Sequence, residues 1–275
     1  MTEHTAMDAG TMAADPIFEG PDLNGKVALV TGGTRGLGLA LARSLIEAGA
    51  RVALIGRDAG TGAHAVAALG ENAIALAADV ADEQAVKRAC ADAAAAFGQI
   101  DMLVCTAGVG APRQPVWEAE TDAYRQCFDV NVLGVLNAMA AAMPSMIARR
   151  AGQVVVIGGT YGHKGVADFA VYAASKWALR GLVRSAALDA APHGVRVNMV
   201  SPGGVDGERL RRNFAESARS RGEPADAPLK RFTASTALGR LVSETDIAAA
   251  MLHLLGPGGR MMTGQDIIVD AGTII

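Results

Sequence analysis

Val27-Ala28-Leu29-Val30-Thr31-Gly32-Gly33-Thr34-Arg35-Gly36-Leu37-Gly38 runs from an apolar segment into a glycine-rich turn, and Leu39-Ala40-Leu41-Ala42 continues it as the opening of a helix. Strand, glycine turn and helix in that order make a phosphate-binding loop. Gly32 permits the tight turn, Gly36 lets backbone approach a pyrophosphate, and Gly38 lets the helix pack close. The helix N-terminus aims N–H groups and its positive dipole end at the anion. Thr34, Arg35 and Leu37 complete the loop and are expected against the same nucleotide as the three glycines.

Working outward, short apolar runs recur at Val27–Val30, Val52–Ile55, Ala73–Leu76, Met102–Cys105, Val154–Ile157, Val195–Val200 and Ile267–Val269. Continuous apolar runs of this length mark strands buried on both faces of a parallel sheet. Between them lie helical patterns at Gly38–Ala48, Glu83–Phe97, Thr121–Arg149, Val171–Ala191 and Glu244–Leu255, and the Ala-rich tracts at 63–68 and 93–96 favour helix. The alternation predicts an α/β fold: a Rossmann-type, doubly wound parallel sheet of about seven strands with helices on both faces. Ligands then sit outside the carboxyl ends of the strands. Residues 21–275 read as one catalytic domain. The stretch from about 204 to 238 breaks the alternation with Arg209, Arg211, Arg212, Arg219, Arg221, Lys230 and Arg231, and reads as a substrate lid. Its cations are suited to an acidic substrate, or form a solvated helical lid with scattered charge.

The second strand ends in Gly56-Arg57 and lacks the acid that would accept from the ribose 2′-OH of NAD. Arg57 and Arg35 instead offer two guanidinium groups for a 2′-phosphate, so NADP(H) is favoured over NAD(H). The competing reading of Arg57 is a surface cation paired with Asp58. After the third strand, Asp79-Val80 puts an acid where it accepts from an adenine amino group or caps the next helix.

Composition removes several other classes. Of 275 residues 51% are hydrophobic and 19% charged, enough to bury a large core and too apolar for a disordered regulator. Lys plus Arg is 25 against 28 acids, a net charge of -3, and aromatics are 4%, so neither a basic phosphate-tracking surface nor base stacking is expected. Charged or polar residues interrupt every long apolar run, so no membrane span is expected. Residues 1–20 carry Glu3, Asp8, Asp15 and Glu19 without an apolar stretch, and read as a mobile arm rather than a leader peptide. Cys90, Cys105 and Cys127 have no metal or redox spacing and read as buried free thiols of a cytoplasmic protein without a bound metal.

Tyr172-Ala173-Ala174-Ser175-Lys176 adds a phenol and an ammonium one helical turn apart, on one face. A free phenol is a poor base at neutral pH, and a neighbouring cation stabilises its phenolate form. Such a tyrosine can take a proton from an alcohol or give one to a developing alkoxide. With Leu23-Asn24-Gly25-Lys26 before the first strand, Asn131, Ser201-Pro202-Gly203, Thr263-Gly264-Gln265 and Asp270-Ala271-Gly272, the chain from about 23 to 272 resembles the short-chain dehydrogenase/reductase family. The resemblance implies an NAD(P)-dependent enzyme interconverting a secondary alcohol and a ketone. In it Tyr172 is the acid/base, Lys176 holds the nicotinamide ribose, and Asn131 supports a water relay. Ala107, Gly108, Pro202, Gly203 and Val205 line the cofactor. It also implies a small-molecule substrate and a homo-oligomer, tetramer or dimer, built through the helices at 121–149 and 171–191. There Val132, Leu136, Met139 and Met143 belong to core or interface.

Three departures qualify the resemblance. The family serine that hydrogen-bonds the carbonyl oxygen aligns with Gly159, in Ile157-Gly158-Gly159-Thr160-Tyr161-Gly162. Thr160 is the expected replacement donor, having the same hydroxyl chemistry, with Gly159, Tyr161 and His163 expected to line the substrate. The family's Asn-Asn-Ala-Gly is Cys105-Thr106-Ala107-Gly108, and Gly204-Val205-Asp206 lacks the usual threonine. The missing serine leaves open an imine or enone reductase, or a redox-neutral dehydratase or epimerase. A nucleotide-binding scaffold without turnover is the alternative of another class, and it has no use for a proton relay.

Overall fold

The computed structural model describes residues 21–275, with the side chains of Arg209 and Ser220 excepted. The expected N-terminal arm at 1–20 lies outside the described residues. Seven parallel strands, β1 Val27–Thr31, β2 Arg51–Gly56, β3 Ala73–Ala77, β4 Met102–Cys105, β5 Gly152–Ile157, β6 Val195–Pro202 and β7 Asp266–Val269, lie in the order β3-β2-β1-β4-β5-β6-β7. The order reverses between β1 and β4, where Thr31 pairs with Cys105, and that crevice is where a doubly wound sheet takes its ligand.

Alternate residues of each strand feed different cores, because successive side chains point to opposite faces. On β1, Leu29 packs into a cluster with Val86, Val135, Met146 and Leu179, while Ala28 and Val30 join Leu41, Leu45, Ile247 and Met251 on the other face. The helices sort accordingly. α1 Gly36–Glu47, α2 Ala59–Leu69 and α9 Glu244–Leu255 cover one face; α3 Glu83–Phe97, α5 Gly134–Arg149 and α6 Ala170–Ala190 cover the other, with α4 Thr121–Phe128 set against α6 through Cys127 and Ser175. Local chemistry fixes their starts. Asp58 caps α2 through the Thr61 N–H, Asp82 caps α3 through the Ala85 N–H, and Ser243 and Asp246 close a reciprocal capping box on α9.

One expectation changes. The pattern at 121–149 suggests one continuous helix, but residues 129–133 form a wider π turn between α4 and α5, with Asn131 buried inside it. Gly134 follows because a Cβ there would come within 2.9 Å of Val80 Cβ. An 18-residue window of this tract reaches a mean hydropathy of 1.5, enough by length and composition to cross a membrane, though Asn131, Asn137 and Ser145 interrupt it with polar side chains as the sequence suggests. Its Ala138, Met139, Ala142 and Met146 are nevertheless buried in the sheet-facing core. The 204–238 stretch is helical, as one of its two readings has it, and holds α7 Glu208–Arg221 and α8 Ala227–Ala234. Val205 bridges Val242, and Phe214 meets Phe232 across the two helices with centroids 5.6 Å apart.

Candidate active site

The loop after β1 has the geometry its glycines suggest. Gly32 takes φ +67, and a Cβ there would lie 2.7 Å from Ala107 Cα, so the β1 and β4 loops touch backbone to backbone. Gly38 sits against the Gly32 carbonyl and Thr106, with no space for a methyl group. Gly36 differs: at φ +52 it has nothing within 4 Å of a would-be Cβ and opens onto the crevice. α1 starts at Arg35 without a side-chain cap, leaving its first N–H groups for an anion. Thr34 is buried with its side chain over Gly56, where a Cβ would come 2.5 Å from Thr34 Oγ1, and Leu37 is half-buried.

Arg35 and Arg57 are both exposed, and neither makes an ion pair among the described residues. Asp58 does not engage Arg57; it accepts from the Thr61 N–H at 2.6 Å and hydroxyl at 2.7 Å, bonds that hold its carboxyl below the usual carboxylate range. Asp79 Oδ1 accepts from the Ala81 N–H at 3.0 Å, so it closes a turn while Asp82 does the capping. Val80 is buried, and its carbonyl accepts from Asn137. After β6, Pro202 is buried and Gly203 abuts Asp270, where a Cβ would lie 2.8 Å from Asp270 Cα. Val242 takes the Gly204 carbonyl and the Asp206 N–H, which leaves the main chain of Val205 directed the other way. An open Gly36, an uncapped helix start and two unpaired guanidiniums fit a phosphorylated dinucleotide.

A Gly38→Ala variant drives its methyl group into main-chain oxygen. We expect a loss of about 1–3 kcal/mol, read as a lower Tm and weaker nucleotide binding. Gly181→Ala, mid-helix in α6 with nothing within 4 Å, is expected to be neutral or slightly stabilising in the same melt.

Tyr172 and Lys176 share a face of α6 beside the end of β5. Lys176 is buried, its Nζ 5.6 Å from the Tyr172 ring centroid and donating to the Ile157 carbonyl at 3.5 Å. Asn131 comes in from the π turn. Its Oδ1 accepts from the Val109 N–H at 2.8 Å, while Nδ2 lies 3.0 Å from both the Val109 carbonyl and Ser175 Oγ. Ser175 donates to the Tyr172 carbonyl at 2.7 Å, so one network ties the β4 loop to the tyrosine's own turn. Gly108 lies between: a Cβ there would sit 3.4 Å from Asn131 Oδ1 and 3.9 Å from Lys176 Nζ. The structure thus brings Ala107, Gly108, Asn131, Tyr172 and Lys176 together.

Gly159 takes φ +155 and ψ 152, a backbone conformation open essentially to glycine alone, so a side chain at the serine position is strained. Thr160 begins the following 3₁₀ turn and is buried, and its hydroxyl has no hydrogen-bond partner among the described residues. Tyr161 faces Tyr172 edge-on at 6.1 Å and Phe169 edge-on at 5.8 Å. His163 turns elsewhere. Its Nε2 lies 2.8 Å from Asp266 Oδ2, off hydrogen-bond alignment, with Arg180 Nε 3.4 Å from the same oxygen. Arg180 also donates to the Gly162 carbonyl at 3.0 Å, so this charged cluster braces the turn from behind.

Three residues at the site escape sequence reading: Ser175 as a link, Phe169 stacked on Tyr172 at 4.7 Å, and Arg113 with its guanidinium 4.2 Å over Phe169. Ser175 lies inside the quoted Tyr172–Lys176 motif; Arg113 and Phe169 carry no spacing signal. In the lid, several expected anion-grippers are already neutralised. Arg211 forks onto Asp206 with both bonds at 2.8 Å, Lys230 pairs with Asp226 at 2.6 Å, and Arg231 pairs with Glu223 at 2.6 Å. The Arg209 side chain lies outside the described ones.

All three cysteines are free and buried, and burial raises each thiol, that of Cys105 to about 12. Since the thiolate is the reactive form, native protein at pH 8 is expected to resist iodoacetamide, with labelling appearing on denaturation. Fast labelling of Cys105 in native protein contradicts its buried place at the end of β4.

The model of the short chain dehydrogenase family matches residues 26–218. The chain is 33% identical to sorbitol dehydrogenase of Cereibacter sphaeroides over 251 residues, covering 91% of this chain and 98% of that one. It is also 33% identical to cis-4-hydroxycyclohexanecarboxylate dehydrogenase of Sinomonas cyclohexanicum over 249 residues, covering 90% and 96%. Among solved structures, NAD+-bound xylitol dehydrogenase superposes with a TM-score of 0.86 at 30% identity, covering 91% of this chain and 99% of that one. A point variant of actinorhodin polyketide ketoreductase with NADPH gives 0.86 at 28% identity, covering 90% and 97%.

Proposed function

Because the chain belongs to the short-chain dehydrogenase family and is an NAD(P)-dependent oxidoreductase acting on CH–OH and C=O groups, we propose that it interconverts a secondary alcohol and a ketone with NADP(H). The observation that carries this reading is the array of Tyr172, buried Lys176 and Asn131 around Gly108 at the β4 and β5 strand ends. Bound in this crevice, the nicotinamide dinucleotide supplies the hydride carrier. Tyr172 gives a proton to the carbonyl oxygen during reduction and takes one from the hydroxyl during oxidation. Lys176 holds positive charge beside the phenol and is placed for the ribose hydroxyls. Asn131 fixes the β4 loop against α6. Thr160 offers its unpartnered hydroxyl to the substrate oxygen, and Tyr161 walls the pocket.

Arg35 and Arg57 support NADP(H), since an adenosine 2′-phosphate finds two unpaired guanidiniums and no opposing acid on the end of β2. NADPH oxidation followed at 340 nm against ketones, oxoesters, sugars and imines tests the whole reading. We expect a ketone among the substrates and NADPH preferred over NADH. An Arg57→Ala variant is expected to lose about tenfold or more in NADPH affinity with NADH affinity unchanged, as for a charge-assisted phosphate contact. Tight NADPH binding with no turnover across the panel speaks for a redox-neutral enzyme or a scaffold.

Apolar side chains that α4 to α6 leave uncovered support a homo-oligomer. Met139 is core, Val132 and Met143 are half-buried, and Leu136 is exposed, as are Tyr124, Leu133 and Trp177. Pairing these helices between copies buries such side chains. Sedimentation is expected to give a dimer or tetramer at micromolar concentration; a monomer rules this out. A cytoplasmic location agrees with the three unpaired cysteines.

A further inference from the structure

The stretch between β4 and α4 and the stretch between β5 and α6 meet beside the tyrosine. The Gln114 N–H donates to the Asp168 carbonyl at 2.9 Å, and Asp168 turns through φ +58 to present Phe169. Phe169 stacks on Tyr172 at 4.7 Å with planes 27° apart, and the Arg113 guanidinium sits 4.2 Å over the Phe169 ring. Only one ring therefore separates a guanidinium from the phenol. Arg113 is exposed and meets no carboxylate among the described residues, whereas lid cations Arg211, Lys230 and Arg231 are matched within the lid. A stacked guanidinium turns one face to the ring and keeps its N–H donors at the edge, in a fork that suits a planar carboxylate.

Resting on the carbonyl reductase reading, we propose that Arg113 is a specificity-determining residue that receives the carboxylate of an oxo acid, or of the matching hydroxy acid, whose carbonyl or hydroxyl lies at Tyr172. The substrate spans the Tyr161, Phe169 and Tyr172 rings, with its reacting oxygen at one end and its anionic group at the other. A rigid, part-apolar acid fits this wall better than a sugar, whose hydroxyls find rings rather than hydrogen-bonding groups.

4-Acetylbenzoate and 4-acetylbenzamide, alike in shape and different in charge, make the test. Calorimetric binding of each to the enzyme with NADP+, which cannot reduce them, reads recognition without turnover. Wild type is expected to favour the carboxylate about tenfold or more, as for a charge-assisted hydrogen bond. Arg113→Gln is expected to abolish that preference while leaving amide and NADP+ affinity unchanged, and Arg113→Lys to keep part of it. Equal affinities in wild type, or a preference that survives Arg113→Gln, overturns the assignment. Turnover of the same pair with NADPH separates the two readings. A carboxylate preference without reduction of either ketone or of any other carbonyl in the panel keeps the anion site and discards the reductase; reduction of the amide with no carboxylate preference does the reverse.

Discussion

Tyr172→Phe is expected to reduce turnover by about 10²–10⁴-fold, the usual worth of a positioned acid/base, with nucleotide binding unchanged. Removing one oxygen leaves the ring where Phe169 stacks on it and Tyr161 meets its edge, so the wall stands and only the proton is lost. Lys176 keeps its bond to the Ile157 carbonyl, and Ser175 still donates to the main-chain carbonyl of residue 172. Nucleotide affinity by calorimetry and the thermal midpoint are therefore the controls, expected within error of wild type. Residual activity above a few per cent of wild type assigns the proton to another group.

Thr160→Ala is expected to lower kcat by about 10²–10³-fold, the cost of losing one oriented donor to the reacting oxygen, with a smaller change in KM. The hydroxyl usually supplied from the preceding position is missing, and Gly159 at φ +155 explains why a simple Gly159→Ser exchange is not expected to restore it. Thr160→Ser, which keeps the hydroxyl, is expected to retain most activity. If Thr160→Ala turns over normally, the donor role passes to Tyr161, and Tyr161→Phe becomes the variant that fails.

The sheet was readable because strands buried on both faces leave unbroken apolar runs, such as Val52–Ile55 and Val195–Val200, and the cradle because a glycine turn between strand and helix has few other uses. The π turn at 129–133 was not readable: apolar spacing across Asn131 stays helical, and the added width answers contacts from Val109 and Ser175, both distant in sequence. Arg113 escaped for the same kind of reason. Nothing near it in the chain marks it, and its meaning comes from Phe169, carried in by another loop. The sequence places His163 in the pocket by proximity to Thr160, yet the carboxylate it lies against, that of Asp266, belongs to β7.

The wider turn also sets the phase of the long helical tract. An α-helix advances about 100° per residue, so a turn that accommodates one more residue rotates everything beyond it relative to everything before. α4 thereby aims Cys127 at Ser175, while α5 independently aims Ala138, Ala142 and Met146 into the sheet-facing core. Deleting a single residue between Asp129 and Leu133 would put those two alignments in conflict. The tract behaves as a pair of keyed shafts: what α4 presents to Ser175 and what α5 buries are set separately, provided the coupling between them keeps its length.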